Sequence, residues 1–160
     1  MIKSAIYQDL LDAADVVDSL PNIVGKYKRT SDPSIKYNCL AHAVGVDWGW
    51  FEPPNHLPGY YWPPGIDAEW NDKTIKEVLS RFGYKELADG SDLEEGYDKI
   101  AVYGDTEGPT HFARQLPNGS WSSKLGELID VQHDTLECLF GADHYGEILY
   151  YVKRKSVQSK

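Results

Sequence analysis

The feature that most constrains the fold is a turn in the second half of the chain. Pro117-Asn118-Gly119 separates residues 111–116 from residues 120–125, and both flanking runs mix apolar and polar side chains in short stretches. Asn-Gly between two such runs signals a β-hairpin, because both residues tolerate the backbone twist that joins antiparallel strands. Ile100-Ala101-Val102-Tyr103 before it and residues 147–152 after it read as two further strands. An antiparallel sheet of about four strands is therefore expected.

The first half reads differently. Ile6, Leu10, Ala13 and Val17 recur at helical spacing over residues 4–20, and Pro21 ends that pattern. Residues 21–36 read as a loop, and Asn38-Cys39-Leu40-Ala41-His42-Ala43 as the start of a short helix. Residues 47–65 carry Pro53-Pro54 and Pro63-Pro64 among Trp and Tyr, and paired prolines block helix and central strand alike. Ile75, Val78, Leu79 and Phe82 form one apolar stripe over residues 67–82, with Gly83 behind it, and residues 134–140 read as a last short helix. The order gives an α+β fold with N-terminal helices packed on one side of the sheet. The chain reads as one domain over residues 1–155 with a frayed tail over 156–160, and it has no internal repeat.

Charge narrows the partners. Twenty-five acidic against 16 basic residues give a net charge of -9. That balance opposes nucleic-acid binding, which needs a basic surface to displace counterions, and it leaves a basic protein partner or a cationic substrate open. The two cysteines, Cys39 and Cys138, form neither a disulfide framework nor a metal-ligand spacing, so no metal or other cofactor is expected. No window approaches the roughly 20 apolar residues of a membrane helix, and residues 1–9 lack the apolar run of a signal peptide. No membrane partner and a reducing, cytoplasmic setting are the expectation.

The chemistry centres on Cys39 and His111. A cysteine in the first turn of a helix meets backbone N–H groups that favour the thiolate and can hold an oxyanion. A histidine opening a later strand could take the thiol proton and return it to a leaving group. The bland alternative is an inert core thiol, which is the usual fate of a free cysteine and is expected for Cys138. His42 lies three residues after Cys39 and is expected to pack beneath the aromatic segment. Trp50, Tyr61, Trp62 and Trp121 are candidates to line a substrate groove, the segment 48–65 being equally readable as a structural lid. Arg114 and Lys124 could clamp a carboxylate or pair with the acidic segment 86–98, and surface pairing is the expected reading.

The segments Tyr37-Asn38-Cys39 and Thr110-His111-Phe112-Ala113-Arg114, with the hairpin that follows, resemble the papain-like cysteine peptidase and amidase superfamily, in its NlpC-type and CHAP-type branches. Together with Trp62-Pro63-Pro64-Gly65 and the hairpin from His111 through Trp121 to Ser123-Lys124-Leu125-Gly126, they also look like a bacterial family of uncharacterised proteins. The superfamily resemblance implies a papain-like (NlpC-type) topology and a hydrolase of peptide or isopeptide bonds. Cys39 would be its nucleophile and His111 its base. The residue orienting the histidine would be Ser123, with Asp130 and Gln115 as alternatives, and Tyr37 or Asn38 would stand beside the oxyanion. The rival expectation is a non-catalytic acidic binding or immunity-like protein on the same fold.

Overall fold

The computed structural model describes residues 26–53, 57–125, 129–140 and 145–156. The helix expected over 4–20 lies outside these residues. In chain order the elements are β1 (Tyr27–Arg29), α1 (Cys39–Val44), β2 (Trp50–Phe51), β3 (Tyr60–Tyr61), α2 (Asp72–Arg81), β4 (Glu86–Ala88), β5 (Tyr97–Asp105), β6 (Gly108–Gln115), β7 (Trp121–Lys124), β8 (Asp130–His133) and β9 (Glu147–Lys155), with a 3-10 turn at Glu137–Leu139 before β9.

The expected α+β fold of about four strands under N-terminal helices is overturned. The described chain is mostly β: a seven-stranded sheet in the order β1-β8-β7-β6-β5-β9-β4, every neighbouring pair antiparallel, beside a small parallel pair of β2 and β3. Two α-helices accompany it among the described residues. The missed strands have a common cause. β1 (Tyr27-Lys28-Arg29) and β4 (Glu86-Leu87-Ala88) are edge strands of three residues, held by pairing to a neighbour and carrying almost no apolar alternation of their own. β8, not expected, ends at His133, and the helix expected over 134–140 shrinks to the 3-10 turn. β9 runs on to Lys155, and Ser156 is tied by its amide to the Gly96 carbonyl and by its hydroxyl to Asp98, so the tail expected to fray begins held.

Alternating side chains divide the sheet into two faces. Ile100, Val102, Phe112 and Val152 face the helices and pack with Leu40, Ala41, Ala43, Ile75, Val78 and Leu79. Ala101, Tyr103, Ala113, Trp121 and Val131 face the other way, under Leu125, Ile129, Leu136, Cys138 and Leu139. Each fully buried Leu, Ile or Phe contributes about 1.5–3 kcal/mol relative to exposure, so both faces are substantial cores.

The helices are set by their ends. Asn38 caps α1, its side chain accepting from the Ala41 amide, and Gly45 closes it at φ 88°, a left-handed conformation that suits glycine. Ala41 and Ala43 are fully buried, which lets this helix lie close against β6 and β7. In α2, Asn71 and Thr74 form a reciprocal capping box, so the helix starts at Asp72 and not at residue 67. The residues ahead of it turn inward instead, with the Trp70 indole donating to the Pro109 carbonyl at 2.8 Å.

Candidate functional site

Asn38 builds the place where Cys39 stands. Besides capping α1, its side chain accepts from the Phe51 amide at 3.1 Å and donates to the Phe51 carbonyl at 2.8 Å. One buried amide therefore ties the start of α1 to β2. Beside it lies a cleft of about 600 Å³ lined by Cys39, Trp50, Glu52, Glu69, Trp70 and Tyr145, with Asn38, Pro53, Ala68, Pro109 and Thr110 completing its walls. That volume lies in the range of small-ligand sites. Trp50 donates to Glu52 at 3.3 Å, and Asn71 donates to Glu69 at 3.2 Å.

Cys39 as a residue is partly exposed, but burial of its thiol pushes the pKa up to about 11. The backbone of Phe112, Leu40 and Cys39 itself, and the charge of Lys124, act against that rise without reversing it. The thiol is therefore protonated at neutral pH and needs a base to become a nucleophile.

His111 is not bonded to it. His111 pairs with Tyr103 across β5 and β6 and meets that ring edge-on at 5.2 Å, in the core on the far face of the sheet. It is completely buried, and neither ring nitrogen has a hydrogen-bond partner among the described residues. Burial, with smaller contributions from His133 and His42, holds its pKa well below the ordinary value, so the ring is neutral. Tyr145 joins the two regions. It lines the cleft with Cys39, and its ring stacks on His111 at 4.0 Å.

Ser123 does not orient His111. It lies opposite Ala113 in the ladder and bonds the Nε2 of His133 at 2.8 Å. The Nδ1 of His133 contacts the Thr135 carbonyl at 2.8 Å, which only accepts, so Nδ1 carries the proton and Nε2 accepts from the Ser123 hydroxyl. Asp130 reaches its partners from β8. Its Oδ2 accepts from the Tyr37 hydroxyl at 2.7 Å and lies 3.6 Å from His42 Nδ1, beyond hydrogen-bond length. His42 Nε2 meets the Ser122 hydroxyl at 2.8 Å. Burial brings the pKa of His42 down to about 4, against the pull of Asp130 and with the push of Arg114 and Lys124. His42 thus pins α1 to β7 and does not pack under the aromatic segment. Gln115 donates to the Ser91 carbonyl, away from the cleft.

The aromatic candidates separate. Trp50 lines the cleft. Tyr61 packs on Phe51 at 4.9 Å and on Trp48 at 5.1 Å, which makes it a wall of the β2–β3 pair. Trp62 and Trp121 are buried, at 3% and 2% exposure, and are core residues. Lys124 is also fully buried, with its ammonium on the Ser34 carbonyl and over the Tyr37 ring, and so does not lie on the surface. Cys138 is core, as expected. Glu52, Glu69, Trp70, Thr110 and Tyr145 are cleft residues that sequence reasoning missed. Only Glu52 and Trp70 carried a signal, by lying beside the proline-rich segment and the start of a helix.

Among the described residues, no group of three or more His, Cys, Asp or Glu side chains gathers as a metal site, and no helix is long and apolar enough to cross a membrane. Residues 28–153 match the family described as Domain of unknown function (DUF7689), and the chain belongs to that family. No curated protein and no solved structure matches it.

Proposed function

We propose that this member of the family is a cysteine-dependent hydrolase of amide bonds, peptide or isopeptide, working through an acyl-enzyme on Cys39. One observation carries the reading: Cys39 opens α1 and lines a cleft of ligand size, with the backbone of Leu40 and Phe112 near enough to act on its thiol. Backbone N–H groups in such a place suit the oxyanion of a tetrahedral intermediate.

His111 is the base in this reading. Its ring is neutral and its nitrogens have no partner among the described residues, so it can accept a proton once a rearrangement moves Tyr145 off its face and brings the ring from the far side of the sheet to Cys39. His111 then takes the Cys39 proton as sulfur bonds to the substrate carbonyl carbon. The C–N bond breaks, and the amine departs with that proton. Water, deprotonated by the same ring, cleaves the thioester to acid and restores the thiol. Both cysteines are free, which suits a reducing compartment such as the cytoplasm.

The test is release of amine from a panel of N-acyl peptide amides. Cys39→Ala is expected to abolish it, and His111→Ala to slow it by about 10²-fold or more. Turnover undiminished in Cys39→Ala would sink the reading. The second reading, a non-catalytic acidic binding protein, draws on the raised thiol pKa and the missing Cys39–His111 bond. Saturable peptide binding with no turnover would favour it.

A further inference from the structure

The cleft beside Cys39 has a one-sided chemistry. Its charged lining residues are two carboxylates, Glu52 and Glu69, and no lysine or arginine lines it among the described residues. Three of its other lining residues, Trp50, Trp70 and Tyr145, are aromatic. Lys124 is close enough to lower the thiol pKa, but its buried ammonium is spent on the Ser34 carbonyl and the Tyr37 ring. Both carboxylates are exposed at its rim, where one oxygen of Glu52 accepts from Trp50 and one of Glu69 from Asn71.

Carboxylates beside electron-rich ring faces favour a cation. A charge over a Trp or Tyr face within about 6 Å of its centroid is attracted by the ring quadrupole, and two anionic side chains concentrate cations at a concave mouth. The same arrangement repels an anionic substrate. We infer that the cleft selects substrates carrying an alkylammonium or guanidinium group, so that the acyl compound reaching Cys39 is a basic peptide or amine-bearing amide. This inference rests on the reading of the cleft as the place where substrate meets Cys39, and it assigns Glu52 and Glu69 to specificity rather than to bond breaking.

The local potential is measurable without any turnover. Alkyl methanethiosulfonates convert a thiolate to a mixed disulfide and release methanesulfinate, and their rates report the charge around the sulfur. The trimethylammonium-ethyl and sulfonato-ethyl reagents are compared on Cys39, each rate divided by that on 2-mercaptoethanol, with Cys39→Ser as the background for Cys138. The normalised preference for the cationic reagent is expected to be about 10-fold or more, and to fall several-fold in the Glu52→Gln/Glu69→Gln variant. No preference overturns the inference. So does a preference that survives in the double variant, since it would come from the net charge of -9 and not from the cleft.

A second arm does not depend on thiol reactivity. Cys39→Ser protein is titrated with an arginine-bearing and a glutamate-bearing peptide amide of equal length, followed by tryptophan fluorescence. Binding of the arginine peptide about 10-fold tighter supports the inference, and equal binding overturns it. The two readings fail separately. A cation preference without hydrolysis of any amide removes the enzyme and keeps the cation site. Hydrolysis indifferent to charge does the reverse.

Discussion

The ring of Tyr145 lies flat against the imidazole of His111, with centroids 4.0 Å apart and planes inclined by 14°. Tyr145 stands between the two residues that the chemistry needs together, which strand parity also sets on opposite faces of the sheet. Tyr145 is buried enough to push its hydroxyl pKa well up, with Cys39 contributing, so one side chain touches both halves of the proposed site. Replacing Tyr145 with Ala opens His111 toward the cleft. Its pKa, followed by NMR of the ring protons, is expected to climb from well below 6.5 toward the ordinary histidine value as water reaches the ring. A ring that still fails to titrate near neutrality in this variant would mean that Tyr145 is not what isolates it.

Ser123 and His133 make the clearest test of roles. Ser123→Ala removes the only donor to His133 Nε2 among the described residues and leaves that nitrogen buried. The cost is about 1–3 kcal/mol of stability, read from urea unfolding. The rate of Cys39 alkylation is expected to stay unchanged in the folded state. A selective loss of Cys39 reactivity at wild-type stability would restore Ser123 to the site.

Acid should destabilise the protein although it relieves net charge. His42, His111 and His133 all have folded pKa values held below the ordinary value, chiefly by burial. The unfolded chain therefore binds more protons than the folded one, and stability falls as pH drops below about 6.5. For His42, with a folded value of about 4, the loss is on the order of 2 kcal/mol by pH 5. Relief of charge repulsion near the isoelectric point of about 4.9 acts the other way, but over a diffuse surface. The urea midpoint is expected to be lower at pH 5 than at pH 7, and His42→Gln should shrink that difference. A midpoint equal or higher at pH 5 contradicts this balance.

Asn38 carries more than a helix cap. Asn38→Ala removes the acceptor for the Ala41 and Phe51 amides and the donor to the Phe51 carbonyl. A cap alone is worth about 1 kcal/mol, and the stranded buried groups of Phe51 add to it, so a loss of about 3 kcal/mol is expected in denaturant unfolding. A loss below 1 kcal/mol would show that β2 is held by its aromatic contacts and not by Asn38.

What the sequence revealed follows from where local chemistry governs. Pro117-Asn118-Gly119 specified a hairpin, and β6 and β7 pair there in antiparallel register. The apolar stripe Ile75, Val78 and Leu79 specified α2, and all three are fully buried. Cys39 does open a helix. Hidden were features set by tertiary pairing. β1 and β4 have no apolar alternation, so nothing in three residues marks them as strands. The face on which His111 lies was equally hidden. Phe112 and Ala113 are both fully buried, on opposite faces, so apolar patterning gives no parity for the strand. Parity comes from the pairing of His111 with Tyr103, and it turns the imidazole away from α1. Tyr145 reaches the cleft from far along the chain. It is held there by the Thr110 hydroxyl on its carbonyl and by Gly146, where a Cβ would collide with the Gly104 carbonyl.

The central claim is that Cys39 forms a covalent acyl intermediate. The direct measurement is intact-mass spectrometry of the protein quenched in acid during reaction with a basic N-acyl peptide amide, with peptide mapping of the adduct. The account predicts an added mass equal to the acyl group, located on Cys39, absent from Cys39→Ala, and accumulating more slowly in His111→Ala. An unmodified mass throughout amine release, or an adduct mapped to a different residue, would contradict it.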